Sequence, residues 1–128
     1  YDADVTVHTR ESTAEAGLGL IGDEKNFVSV TVQKNRIVIR VVEKDQERII
    51  DEKRLSTNRI LHLRAQVRNG KDISIQYSVD GKKFEALNEV PGDGLFLPPW
   101  DRAIRVALFS RGEASEKAVF DDFKIKNN

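Results

Sequence analysis

Few side chains of this sequence are suited to catalysis, and the two histidines come first because imidazole titrates near neutral pH. His8 and His62 both stand among charged neighbours in segments where apolar and polar residues alternate. No GxSxG nucleophile motif accompanies them, and covalent catalysis needs a nucleophile, a base and an orienting group. A solvated surface role is therefore favoured for both histidines.

Adjacent carboxylates are the second candidate, since two carboxyl groups held about 5–9 Å apart in a cleft can hydrolyse a glycosidic bond. The doublets Asp23-Glu24 and Asp121-Asp122 are the candidates by proximity. Successive residues of a strand point to opposite faces of a sheet, which argues against an acid–base pair in either doublet. We therefore predict no catalytic residues in this chain.

Asp121 and Asp122 have a second interpretation, because a carboxylate that faces inward needs a partner. Calcium binds clustered carboxylate and carbonyl oxygens, so a structural calcium at this doublet is one hypothesis. The alternative is that one of the two simply faces solvent. No other metal or cofactor is expected, because cysteine and the HExxH and GxxxxGK[ST] motifs are absent from the sequence.

The charge balance excludes further classes of partner. Lys and Arg number 21 and Asp and Glu number 21, so the net charge is zero. Nucleic-acid binding draws its affinity from a basic excess, which this chain lacks. No apolar run approaches the ~20 residues that a membrane-spanning helix needs. We expect neither nucleic acid nor membrane as a partner.

The elements that must position any site are β-strands, because the dominant period of the sequence is two. Apolar and polar residues alternate through 60–69 and again through 72–79. Between them stands Asn69-Gly70, a pair that tolerates the positive φ angles of a type I′ hairpin turn. About ten such strands, with turn signals every 8–12 residues, predict an all-β fold with two packed antiparallel sheets. The apolar set should form the core, and its predicted members include Leu63, Val67, Ile75 and Val106.

The polar set of the central hairpin forms the first candidate binding surface. If the late strand lies beside the hairpin, one face should present side chains that suit sugar hydroxyls or a partner's carboxylates; they are His62, Arg64, Gln66, Ser74, Gln76 and Arg105. The alternative is an ordinary wet outer face, which antiparallel sheets commonly have.

The second candidate surface is the long irregular stretch 88–101, which holds all three prolines and the single Trp. Loops of this length in compact domains are often functional. Phe96, Trp100 and Asp101 could contact a neighbouring domain or a bound sugar. The rival interpretation is that Trp100 turns inward and closes one end of the core.

The start of the chain suggests a processed form or a piece of a longer protein, and we favour the second. The first residue is Tyr1, Met is absent throughout, and residues 1–9 already alternate as a strand. We therefore expect one β-sandwich domain over 1–128, taken from a longer chain.

Four segments, in order along residues 16–125, resemble the C-terminal concanavalin-A-like β-sandwich of family 43 glycoside hydrolases, which are mainly β-xylosidases and α-arabinofuranosidases. Ala16-Gly-Leu-Gly-Leu-Ile-Gly22 with the following Asp-Glu-Lys-Asn-Phe resembles the opening of that domain. Leu61-His-Leu-Arg-Ala65 is similar to its YLRV strand, and Tyr77-Ser-Val-Asp-Gly-Lys-Lys-Phe84 to its YSLDGKEW hairpin. Ala118-Val-Phe-Asp-Asp-Phe123 is similar to its closing strand.

The resemblance implies a jelly-roll sandwich without catalytic residues. It also implies that the first strands of the domain and a five-bladed catalytic propeller precede this sequence. The sandwich would pack on that propeller, which acts on xylan- or arabinan-type oligosaccharides. In the xylosidases of this family an aromatic side chain from a sandwich loop helps to wall the active site. Trp100 falls near that position, just before the strand 103–108, although Pro-Pro-Trp stands where those xylosidases tend to carry Phe-Phe. A periplasmic or extracellular bacterial location is also favoured.

Three functions therefore remain open. The first is an accessory domain that packs on a glycosidase and shapes its substrate site. The second is an autonomous carbohydrate-binding module, which should expose two or more aromatic side chains on one face. The third is a structural or protein-interaction sandwich. The sequence does not name the sugar.

Overall fold

The computed structural model describes residues 1–56, 60–68, 72–87 and 105–127. Alternating apolar residues and frequent turns produce strands throughout these ranges, and no helix there is long and apolar enough to cross a membrane. The strands of the described ranges are β1 Asp2–His8, β2 Glu15–Asp23, β3 Asn26–Gln33, β4 Arg36–Glu43, β5 Gln46–Arg54, β6 Ile60–Arg68, β7 Asp72–Ser78, β8 Glu85–Ala86, β9 Arg105–Arg111 and β10 Phe120–Lys126.

The strands form two five-stranded antiparallel sheets. Sheet A has the order β10-β1-β6-β7-β8, and sheet B has the order β5-β4-β3-β2-β9. The apolar faces of the two sheets pack on each other. The predicted all-β, two-sheet sandwich of the concanavalin-A-like type is confirmed.

The core contains the alternating apolar residues of both sheets. Leu63, Val67 and Ile75 are buried, as predicted. Val106 packs against the same core but is half-buried, because β9 is the last strand of sheet B and has a neighbour on one side only. The largest fully buried side chains are those of Leu18, Leu20, Ile37, Ile39, Leu61, Leu63 and Ile75.

The hairpin turns have the backbone conformations that their positions require. Lys44 and Asp45, between β4 and β5, have φ angles of 51° and 66°. Positive φ at both central residues is the mark of a type I′ turn, whose twist matches the flanking strands. β6 and β7 pair as the predicted hairpin, but Arg68 stands opposite Asp72, which leaves three residues between the strands instead of the two of a type I′ turn. The predicted Asn69-Gly70 turn between them lies outside the described residues.

The closing strand contains a β-bulge. Residues 118–123 were expected to form the closing strand, and the strand observed there is Phe120–Lys126. Its register against β1 shifts between the partners of Asp4 and Thr6, and Asp122 has a φ of 50°. This left-handed residue interrupts the alternation of the strand. Asp121 and Asp122 are both exposed, as are the described residues that follow them on this edge strand.

The outer face of sheet B carries a layer of packed aromatic and polar side chains. Phe27 and Phe109 pack with their ring centroids 5.9 Å apart. Beside them Arg40 Nη1 donates to Glu15 Oε1 at 2.6 Å, and the hydroxyl of Thr31 donates to the same oxygen at 3.0 Å. These contacts bury Thr31 and most of Arg40, so the face carries a second, partly polar layer.

Several chain features meet at one end of the sandwich, here called the Tyr1 end. The antiparallel register places the start of β1 and the finish of β10 there, with Asp2 opposite Lys126. The start of β9 lies at the same end, because Tyr1 and Arg105 line one shallow pocket of about 360 Å³ with Val106 and Ile125. Arg105, the first described residue after residue 87, therefore lies at the Tyr1 end.

Candidate functional site

The outer face of sheet A brings three of the predicted site residues together. Arg64 and Gln66 of β6 project from this face, and Gln76 of β7 stands directly opposite Arg64. Gln76 Nε2 donates to Gln66 Oε1 at 3.1 Å. Ladder pairing at alternate positions produces this cluster, because residues i and i+2 of a strand share a face.

Arg105 does not belong to this cluster, which corrects the prediction. It lies on β9, the edge strand of sheet B, opposite Ile21. Its Nη2 donates to the carbonyl oxygen of Gly22 at 3.3 Å. The late strand pairs with β2 instead of the central hairpin, so Arg105 and Arg64 lie in different sheets.

Arg64 is the centre of the cluster. Its Nε donates to Asp4 Oδ1 at 2.8 Å and its Nη2 to Asp4 Oδ2 at 3.0 Å, a bidentate pair with the neighbouring strand β1. The Asp4 carboxylate raises the pKa of Arg64 above its ordinary value. The guanidinium carbon lies 3.9 Å from the centre of the Phe84 ring, a cation–π contact. Arg64 is thereby held from two sides.

The turn after β7 positions Phe84. Asp80 Oδ1 accepts hydrogen bonds from the backbone N–H groups of Lys82 at 2.8 Å and Lys83 at 3.0 Å, and from the Ser78 hydroxyl at 2.9 Å. These donors lower the pKa of Asp80 to about 2, with the backbone N–H of Lys83 as the largest cause. The Asp-Gly turn thus orders residues 78–84 and presents the Phe84 ring to Arg64.

His62 completes the site through contacts with β1 and with the same turn. Its Nδ1 lies 3.2 Å from the Thr6 hydroxyl oxygen. On the other side is Gly81, which has a φ of 78°, and a Cβ at this position would lie 3.0 Å from His62 Nε2. Glycine is required here both for the left-handed turn and for the close approach of the imidazole.

These groups enclose a concave pocket of about 200 Å³. Two cations and two carboxylates line it, together with one aromatic ring, an imidazole and a hydroxyl. The lining residues are Asp4, Val5, Thr6, His62, Arg64, Gly81, Phe84, Asp122 and Lys124. We call this the Arg64 pocket.

Sequence reasoning missed Phe84 and Asp4 as members of this site. Phe84 was interpreted as a strand residue, and Asp4 attracted no attention because its partner is 60 residues away. The available signal was the Asp80-Gly81 turn, since such a tight turn places the residue after it back over the preceding strands. The pairing of β1 with β6 has no comparable local signal.

Of the remaining predicted residues, Asp122 lines the Arg64 pocket and Asp121 does not. Phe96, Trp100 and Asp101 lie outside the described residues, so their roles stay predictions. The Asp121 carboxylate is 3.5 Å from His8 Nε2 on β1. Within the described ranges no three His, Cys, Asp or Glu side chains are grouped to hold a metal, so this structure adds no support to the calcium hypothesis.

Comparison with solved structures finds the same fold in glycoside hydrolases. The family 43 protein BlXynB of Bacillus licheniformis is 18% identical with a TM-score of 0.73, over 91% of this chain and 25% of that chain. The bifunctional GH43-CE protein of Bacteroides eggerthii is 19% identical with a TM-score of 0.71, over 93% of this chain and 17% of that one. Xylan β-1,4-xylosidase of Bacillus halodurans C-125 is 11% identical with a TM-score of 0.69, over 92% of this chain and 26% of that one.

This chain thus spans about a quarter or less of each of these structures. No curated protein matches it. A family model described as the β-xylosidase C-terminal concanavalin A-like domain matches residues 1–126. The match covers nearly the whole sequence, and the chain belongs to the family of concanavalin-A-like domains found at the C-terminus of β-xylosidases.

Proposed function

We propose that this domain is a non-catalytic accessory domain of a glycoside hydrolase, which packs on the catalytic domain through the Tyr1 end and helps to shape the substrate site with residues 88–104. The domain family is C-terminal in β-xylosidases, so a catalytic domain would precede Tyr1 in the complete protein.

One observation carries this proposal: Tyr1 and Arg105 line the same pocket. A domain that preceded Tyr1 would join the sandwich at this point, close to Arg105, which directly follows residues 88–104 in the sequence. Tyr1 is itself anchored, because its carbonyl oxygen accepts from the Val67 N–H at 2.8 Å. The partner would therefore attach at the ordered start of β1, at the Tyr1 end where Arg105 also lies.

The described carboxylates support a non-catalytic role. A general acid in a glycosidase needs a raised pKa so that it is protonated near neutral pH. Three described carboxylates have pKa values shifted in the opposite direction: the Lys25 N–H lowers the pKa of Asp23, Arg36 lowers that of Glu52, and the Lys83 N–H lowers that of Asp80. Each of these groups is a stable anion and a poor proton donor.

The solved relatives and the domain family support a substrate class for the proposed enzyme. One is a xylan β-1,4-xylosidase, and the domain family is that of β-xylosidases. We infer that the catalytic partner acts on xylan- or arabinan-type oligosaccharides.

The test is an assay on aryl β-xylosides and aryl α-arabinofuranosides, with the purified 128-residue chain and with the complete protein that contains it. We expect turnover from the complete protein and none from the 128-residue chain. Turnover by the purified chain that is lost on Asp121→Asn or Asp122→Asn substitution would overturn the non-catalytic assignment. A complete protein without activity on either substrate would overturn the assignment to this class of enzyme.

A further inference from the structure

We propose that the Arg64 pocket binds a single neutral sugar residue, independently of any contact made at the Tyr1 end. The pocket opens on the outer face of sheet A, beside β1, β6, β10 and the 78–84 turn. It is thus a second functional surface, and its ligand would occupy a face that the proposed packing on the catalytic domain does not use.

The hydrogen-bonding groups fit a polyol. Arg64 uses Nε and Nη2 on Asp4 and has further N–H donors on a planar group, while the Asp4 oxygens can each accept a second bond. A donor and an acceptor held side by side match two adjacent ring hydroxyls, each of which both donates and accepts. Thr6 and His62 add a hydroxyl and an imidazole at the same wall.

Phe84 supplies the apolar part of the recognition. Its half-buried ring lines the pocket with the guanidinium of Arg64 stacked over one face. The ring carbons that remain uncovered offer apolar surface to the C–H groups of a sugar ring. Binding sites for small molecules combine apolar surface with a few well-placed polar groups in this way. Neither an all-polar nor an all-apolar ligand would use both walls.

The charge of the lining residues and the volume of the pocket further restrict the class of ligand. Arg64 and Lys124 bring two positive charges, and Asp4 and Asp122 bring two negative charges, so the lining has no formal net charge. An anionic or cationic ligand would therefore gain little from the site as a whole. The volume of about 200 Å³ is below the roughly 300–1,000 Å³ of pockets for drug-sized ligands, which suits one sugar ring.

The site is ordered before any ligand arrives. The Asp4 pair and the Phe84 contact hold Arg64, and the Asp80 hydrogen bonds hold the turn that carries Gly81 and Phe84. Fixing side chains in advance lowers the entropic cost of binding. A small ligand with few contacts can therefore bind measurably.

The experiment is an NMR titration of the ¹⁵N-labelled chain with D-xylose and D-glucose, and with D-glucuronate and D-glucosamine as charged counterparts. We expect saturable millimolar binding of a neutral sugar, with shifts concentrated at the amides of Thr6, His62, Arg64 and Gly81. Absence of saturable shifts at these amides with both neutral sugars would overturn the proposal. Tighter binding of either charged sugar would overturn its assignment to a neutral ligand.

A matched pair of variants locates the site. Arg64→Ala should weaken binding at least tenfold. Arg68→Ala is the control, because Arg68 lies on the same strand and face and pairs with Asp2 at 2.8 Å, yet does not line the pocket. Its affinity should stay within twofold of the wild type. Equal losses in the two variants, or no loss in either, would contradict the proposed site.

Discussion

Arg111 of β9 donates a hydrogen bond to Glu47 of β5, with Nη1 and Oε1 2.6 Å apart. These two strands are the opposite edges of sheet B. Four strand spacings separate such edges by roughly 19 Å in a flat sheet. The contact therefore requires sheet B to curve so that its outer face is concave, and the two long side chains meet over the layer formed by Phe27, Phe109 and Arg40.

We expect the Arg111–Glu47 bridge to add little stability, because its side chains are 46% and 43% exposed. Exposed ion pairs typically contribute about 0.2–1 kcal/mol, and salt screens them. A double-mutant cycle with Arg111→Ala and Glu47→Ala should give a coupling energy in that range at low salt and less in high salt. A coupling energy above about 2 kcal/mol that does not change with salt would contradict this expectation.

The Arg40–Glu15 pair should behave differently, because its side chains are 11% and 15% exposed. Removing one partner leaves a nearly buried charge, which costs about 3–5 kcal/mol. Glu15→Ala should therefore lower the free energy of unfolding by about that amount, and the double variant Glu15→Leu with Arg40→Met should recover most of it. The control is Glu52→Ala, which breaks an exposed bridge to Arg36 and should cost under about 1 kcal/mol. Similar losses for Glu15→Ala and Glu52→Ala in urea unfolding would show that Arg40 is not buried.

Truncation of Leu63 tests the faces of sheet A. Leu63 is fully buried on β6, so Leu63→Ala should lower the free energy of unfolding by about 2–5 kcal/mol. Gln66→Ala, on the outer face of the same strand, should cost about 1 kcal/mol or less, since it loses one partly buried hydrogen bond to Gln76. Equal costs would mean that the two faces are reversed.

Asp80 should make the free energy of unfolding depend on pH in the acid range. The pKa of Asp80 in the folded protein, about 2, lies below its ordinary value of 3.8. Asp80 therefore makes its full contribution to the free energy of unfolding above pH 3.8, and this contribution is lost as the pH falls toward 2. Wild type should therefore lose more stability than Asp80→Asn between pH 4 and pH 2, as measured by urea unfolding. Lys83→Ala keeps the backbone donor and should retain the wild-type slope. An Asp80→Asn slope equal to that of the wild type would rule out this role.

The strands and their turns could be predicted because their causes are local. Alternation in 60–69 and 72–79 identifies β6 and β7, and both faces of β6 were assigned correctly from periodicity. The partner of β9 could not be predicted, since any exposed sheet edge satisfies its hydrogen bonds, and Arg105 was consequently placed in the wrong sheet. The left-handed conformation of Asp122 is also set by tertiary pairing, because nothing about Asp at that position demands a bulge.

In the candidate site, too, the features with local causes could be predicted and those that depend on long-range contacts could not. Arg64, Gln66 and Gln76 were predicted to share a face because one hairpin carries all three. The pocket itself depends on Asp4 and Phe84, which reach Arg64 from β1 and from the turn after β7. Its concave shape arises from these long-range contacts, and alternation along a single strand contains no information about them.

Residues 88–104 are proposed to serve a neighbouring catalytic domain, and Trp100→Ala tests this role most directly. The measurement is kcat/KM of the complete enzyme on an aryl xyloside, paired with the free energy of unfolding of the 128-residue chain, for wild type and variant. If Trp100 contacts the catalytic domain or its sugar, kcat/KM should fall at least tenfold while the stability of the isolated chain changes by under about 0.5 kcal/mol. A stability loss of about 3–5 kcal/mol with unaltered kcat/KM would place Trp100 in the core of the sandwich and contradict the claim.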